Sequence, residues 1–253
     1  MTRNVPPDHP DFGKSFPCPT CQGGRDAQQQ RLERLFKTAG LKTKHVAFSL
    51  VDFDTLMAWE MEGKEGAIAA AKLWAEGAAM TYNELGIEDL SGSDDYARRS
   101  LVFYGPAGTG KTTLAAAALK ERIAREGAGL MVEFYDLMNA IQAAYSSEGD
   151  ESSALLMAAQ DAPLLMLDDL GDPDRGNHSN RARFAETDDK RLKLYNIVNR
   201  RCKMNAPTIF TTNLTPDEVQ IQFGESGRIR QRLEEMALWI PVSGPELRPG
   251  VRR

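Results

Sequence analysis

Residues Gly105 to Thr112 read GPAGTGKT, and a glycine-rich loop of this form narrows what the chain around it can fold into. Its glycines let the backbone bend so that successive N–H groups converge on phosphate oxygens, beside the positive end of a following helix. The arrangement works only between a strand and a helix. Both flanks comply. Leu101, Val102, Phe103 and Tyr104 lead in, and an alanine- and leucine-rich stretch from Thr113 to Arg125 leads out. Gly105, Pro106, Ala107, Gly108, Thr109, Gly110, Lys111, Thr112 and Thr113 are therefore the expected ATP ligands. Among them Lys111 reaches the β- and γ-phosphates, and the Thr112 hydroxyl meets Mg²⁺.

The chain has 253 residues, room for one large domain and a small appendage. No stretch approaches the roughly eighteen apolar residues of a membrane span, and the opening MTRNVPPDHP lacks a leader's apolar core. The cytoplasm is the expected location. Three cysteines, Cys18, Cys21 and Cys202, fit a reducing compartment without a disulfide framework.

Strands and helices alternate from about residue 101 onward. Expected strands lie at 101–104, 129–134, 164–168, 207–212 and 238–242. Helices are expected at 111–125, from a cap at Asp136, at 151–160, at 189–203 and at 225–236, with another at 65–84 before the first strand. The 189–203 helix is read with Leu192, Tyr195, Val198 and Cys202 on one face. Thr215-Pro216-Asp217-Glu218 carries a cap, a first-turn proline and a capping-box acid. This order means an α/β fold with a parallel sheet covered on both faces. Residues 1–45 form a small N-terminal region, and 46–253 the nucleotide-binding domain.

LLMLDDL (164–170) is an apolar strand ending in two carboxylates. Asp168 suits the Mg²⁺ shell and Asp169 the attacking water, the roles of a Walker B element. Aspartate is one methylene shorter than the glutamate common at the second place, so slow hydrolysis is expected. TIFTTN (208–213) offers Asn213 to the water or the γ-phosphate, a sensor position. In GRIRQRL, Arg228 and Arg232 are four apart and share a helix face, with Arg230 elsewhere. Such a pair can reach a neighbouring subunit's ATP, or can pair with Glu234 and Glu235 instead. Arg248 lies beyond the last strand, where it can approach the γ-phosphate or belong to a tail.

The order GPAGTGKT, LLMLDDLG, TIFTTNL, GRIRQRL and LWIPVSG resembles the DnaC/IstB group of AAA+ ATPases, over about residues 46–250. That resemblance implies an AAA+ ATPase core without a C-terminal helical lid. It implies Lys111, Asp169, Asn213, Arg228 and Arg232 as catalytic residues, with Arg248 as a second sensor. It also implies a ring or spiral that self-associates on ATP, holds single-stranded DNA, and opens or delivers a replicative helicase. Presenting target DNA to a transposase is the sister role, and a small-molecule kinase is the reading outside the group.

Two features depart from the group. Cys18 and Cys21 in CPTC have zinc-ligand spacing, and His9 and His45 could complete a Zn²⁺ site; a turn without metal or a redox pair is the alternative. Over 174–203, nine basic residues face four acidic ones inside a chain of net charge −5. That segment is the expected contact for a phosphate backbone.

Overall fold

Five parallel strands make one sheet in the computed structural model, which describes residues 19–54, 62–88, 96–144, 151–171, 188–224 and 227–247. The strands are β1 (Ser100–Tyr104), β2 (Leu130–Glu133), β3 (Leu165–Asp168), β4 (Thr208–Thr212) and β5 (Ala237–Pro241), in the order β2-β3-β4-β1-β5. Strand β4 therefore separates β1 from β3. The registers bring Tyr104 level with Thr212 and Pro241, and Glu133 level with Asp168. All five strands end along one edge, where open parallel sheets bind ligands.

The pleat sorts alternate residues into two cores. Leu101, Phe103, Met166, Ile209, Leu238 and Ile240 face one layer, with the chain's N-terminal helices and the helix after β1. Val102, Tyr104, Leu165, Leu167, Phe210 and Trp239 face the other. Each fully buried side chain of this size contributes about 1.5–3 kcal/mol.

On the first face lie α1 (Pro19–Thr38), α2 (Thr43–Val46), α3 (Leu50–Phe53), α4 (Glu65–Glu76), α5 (Tyr82–Leu85) and α6 (Lys111–Glu126). The segment ahead of residue 46 contributes Phe36, Ala39 and Leu41 to this core. The Met131 N–H donates to the Ala39 carbonyl at 2.6 Å, closing that segment against edge strand β2. The expected 65–84 helix is two pieces. Gly77 takes a left-handed φ of 87° and ends α4, and Thr81 caps α5 by accepting the Glu84 N–H.

The second face carries α7 (Phe134–Ala144), α8 (Glu151–Asp161), α9 (Asp188–Lys203), α10 (Pro216–Phe223) and α11 (Arg228–Met236). Helix α7 starts at Phe134, directly off β2, so Asp136 is a first-turn acid and not the cap. Helix α9 buries Leu194, Ile197, Val198 and Arg201. Of the expected face, Val198 is buried and Tyr195 and Cys202 pack partly buried against the same core, whereas Leu192 is exposed. Arg201 also lies on the buried side, where its guanidinium needs acceptors. Its Nε donates to Thr208 Oγ1 at 2.7 Å, Nη1 to the Ala162 carbonyl at 2.8 Å, and Nη2 to that of Pro207 at 2.9 Å. Helix α11 starts at Arg228, three residues later than read, after Gly227 at φ 65°.

Candidate nucleotide-binding site

Helix α6 begins at Lys111 itself, behind Gly110 at φ 98°. Its free N–H groups and positive end therefore point into the loop. Lys111 is buried, and its ammonium donates to the carbonyls of Gly105 at 2.7 Å and Pro106 at 2.6 Å. Thr109 Oγ1 donates to the Pro106 carbonyl at 3.0 Å, tightening the same turn. The Lys111 ammonium thus rests on two backbone carbonyls beside the free N–H groups that start α6, and a cation with N–H donors is the chemistry a polyphosphate needs.

Chain segments 242–247 cover the outer side of this loop. Gly105 has φ 139°, and a Cβ there would stand 2.3 Å from the Val242 carbonyl oxygen. A Cβ on Gly108, at φ 85°, would strike the Glu246 side chain at 2.5 Å. The Leu247 N–H donates to the Gly108 carbonyl at 3.0 Å. We expect Gly105→Ala to displace the loop at a strain of about 1–3 kcal/mol. ATP affinity should fall roughly tenfold, which titration with a fluorescent ATP analogue measures.

Thr112 Oγ1 donates to Asp168 Oδ1 at 3.0 Å, joining the loop to the end of β3. A hydroxyl and a carboxylate are the hard oxygen donors that suit Mg²⁺, which takes one or two protein oxygens beside substrate phosphates. Burial pushes Asp168 up to about 6, with Asp169 and Glu133 adding to the rise and hydrogen bonds from Thr211 and Thr112 opposing it. A divalent cation beside these carboxylates would offset that desolvation.

Asp169 is half-buried and takes a left-handed φ of 52°. Its N–H donates to Thr211 Oγ1 at 3.0 Å. Asn213 is half-buried and directly follows Thr212, which pairs with Tyr104, the residue before the phosphate loop. Reading the sequence missed Thr211, which bonds Asp168 at the end of β3 and Asp169 just after it. Its signal was present in TTN, but only strand order shows that β4 lies between the two motifs.

The arginines of α11 separate. Arg232 pairs with Glu235 in its own helix, and that pairing is the main cause that raises its basicity. Arg230 bridges Asp217 at 2.6 Å and Glu234 at 2.7 Å. Arg228 is exposed at the start of the helix, and its guanidinium has no hydrogen bond or ion pair to a described residue. Arg248 lies outside the described residues.

Part of the expected basic surface over 174–203 is engaged within the fold, whereas Arg200 and Lys203 are exposed. Lys193 is buried against Asp189, Arg200 pairs with Asp161 at 2.5 Å and Arg191 with Asp188 at 3.1 Å. Arg201 is fully buried. Arg175, Arg181 and Arg183 lie outside the described residues.

The zinc expectation gains no support. Cys18 and His9 lie outside the described residues, as does the side chain of Cys21, although its backbone belongs to α1. His45 is buried, and its Nδ1 accepts the Lys42 N–H at 3.3 Å. Among the described residues no cluster of three or more His, Cys, Asp or Glu could hold a metal. Nor, among them, is any helix long and apolar enough to cross a membrane.

Residues 101–235, just over half of the chain, match the family of ATPases associated with various cellular activities, AAA. The chain belongs to the AAA ATPase family. The match begins at β1 and ends within α11, so the phosphate loop, Asp168, Asp169, Asn213 and Arg228 all fall inside it. Over 218 residues this AAA protein is 27% identical to the replicative helicase loader DnaC of Escherichia coli K12, covering 85% of this chain and 75% of DnaC. It is 26% identical to the uncharacterized protein YdaV of the same strain over 229 residues, 90% of this chain and 78% of YdaV.

Solved structures show the same fold. A crystal structure of the DnaC helicase loader aligns at TM-score 0.58 with 19% identity, covering 80% of this chain and all of that one. DnaI aligns at 0.57 with 24% identity, over 82% of this chain and 94% of its own. The replication initiator DnaA, bound to AMPPCP and single-stranded DNA, aligns at 0.56 with 19% identity, over 80% of this chain and 51% of its own. The motif resemblance to DnaC-type AAA+ ATPases therefore holds in sequence and in fold.

Proposed function

We propose that this protein hydrolyses ATP and uses the cycle to load a replicative helicase onto single-stranded DNA. One observation carries the reading: the similarity to DnaC runs through most of both chains. The site geometry supports the ATPase part. Phosphate oxygens replace the Gly105 and Pro106 carbonyls as partners of the Lys111 ammonium, and the loop N–H groups and the start of α6 hold the rest of the polyphosphate. Thr112 and Asp168 would hold Mg²⁺, which would neutralise phosphate charge. Asp169 accepts a proton from the attacking water, and Asn213 orients that water. The Arg228 guanidinium of one subunit reaches the γ-phosphate held by its neighbour, ordering a ring or spiral. The region 1–45 is the proposed docking element for the helicase. Arg248 takes the second-sensor role from beyond β5.

ATP turnover with and without single-stranded DNA, together with co-purification of the helicase, tests this reading. Stimulation by DNA and capture of the helicase in ATP are the expected results. Turnover indifferent to DNA, with no helicase bound, would overturn the loader assignment.

The environments of the two arginines give a further expectation. Arg228→Ala should remove the rise of specific turnover with protein concentration, by at least about tenfold, and leave the melting temperature unchanged. Arg232→Ala should lower the melting temperature slightly, because it frees Glu235 beside α9. Paired turnover and melting measurements distinguish the two.

A further inference from the structure

We propose that Thr211 is a positioning residue for ATP hydrolysis, one hydroxyl setting both Asp168 and Asp169; this rests on the ATPase reading above. Thr211 is fully buried near the end of β4, between the strand that carries the phosphate loop and the strand that ends in the two aspartates. Its hydroxyl proton goes to Asp168 Oδ1, and its oxygen accepts the Asp169 N–H at 3.0 Å. The Leu170 N–H donates to the Thr211 carbonyl at 2.8 Å, so the same residue also holds the next turn.

Two consequences follow from this geometry. Thr112 and Thr211 both donate to Oδ1 of Asp168, which anchors that carboxylate by one oxygen and does not engage the other in these bonds. The Asp169 backbone at φ 52° is sparsely populated for a residue with a side chain, although aspartate tolerates it better than most. Such a conformation persists only where its surroundings hold it, and the Thr211 oxygen is the acceptor that holds this amide. Without the hydroxyl, Asp168 loses a donor, and Asp169 loses the acceptor that holds its backbone amide.

Thr212 supplies the internal comparison. It is equally buried, donates to the Leu170 carbonyl at 2.6 Å and accepts the Leu214 N–H at 3.0 Å. It therefore makes as many hydroxyl bonds as Thr211, but to backbone groups alone and to neither aspartate.

The test measures steady-state turnover against ATP and Mg²⁺, with melting temperatures, for T211V, T211S and T212V. Supporting residues around a metal or catalytic centre typically contribute about 10- to 100-fold. T211V should therefore lower kcat at least about tenfold and raise the Mg²⁺ concentration for half-maximal turnover, with KM for ATP within about twofold. T211S, which keeps the hydroxyl, should restore most of kcat. T212V should destabilise the fold comparably and lower kcat less than T211V does. Should T211V fail to fold, T211C, similar in size and a weak donor, is held to the same criterion.

Wild-type kcat in T211V, an equal loss in T211S and T211V, or an equal loss in T212V overturns the positioning role. Wild-type protein that does not turn over ATP overturns the hydrolysis reading, and this inference with it.

Discussion

Lys111→Ala is expected to reduce ATP turnover at least about a hundredfold, the scale of losing a preorganised charge at the reacting phosphoryl group. The reason is positional. Helix α6 starts at Lys111, so its side chain folds back over the loop, where the ammonium meets the Gly105 and Pro106 carbonyls. No other described residue places a charged donor on those two carbonyls. Alanine suits a helix start of this kind at least as well as lysine, so the variant should fold normally. A phosphate-release assay and titration with a fluorescent ATP analogue separate the effect on turnover from that on binding. Turnover within threefold of wild type would mean that the loop is not where the γ-phosphate reacts.

Arg201→Ala is the change expected to cost most stability. Five hydrogen bonds leave this guanidinium: to Thr208 Oγ1, to the carbonyls of Ala159, Gln160 and Ala162, and to that of Pro207. They tie α9 to the end of α8 and to the start of β4, from a side chain with no exposure. Burial pulls its pKa down to about 10, with Asp161 opposing, so the group stays charged at neutral pH. Removing it leaves several buried acceptors unpaired, for a loss of about 3–5 kcal/mol. At about 2–4 °C per kcal/mol for a chain of this size, the melting temperature should fall roughly 10 °C. Denaturant midpoints and thermal melts check this, and a fall under about 2 °C would show that water satisfies those carbonyls.

These two residues mark what a linear reading can see. Lys111 was legible because its role depends on neighbours within eight positions, and the loop's geometry is local. Arg201 was not. In sequence it is one of a run of basic residues, counted towards a surface for phosphate backbone. Its acceptors come from 39 to 42 residues upstream and from the chain just after α9. The same limit applies to the pair in GRIRQRL. Spacing puts Arg228 and Arg232 on one face, but Glu235 and the adjacent α9 engage Arg232 alone.

The amino-acid sequence by itself determined the phosphate loop, the strand ending in Asp168 and Asp169, the TTN strand end and the alternation that makes a parallel α/β sheet. Each is written in short-range patterns: a turn's glycines, a strand's apolar run, a helix cap. Tertiary structure decided the rest. It inserted β4 between β1 and β3, and so made Thr211 the hydroxyl that meets both aspartates. It laid residues 242–247 over the loop, which is why Gly105 and Gly108 have no room for a side chain. It turned part of an apparently basic surface inward. Sheet order and burial depend on contacts between segments far apart in the chain, and local residue patterns carry no record of which segments those are.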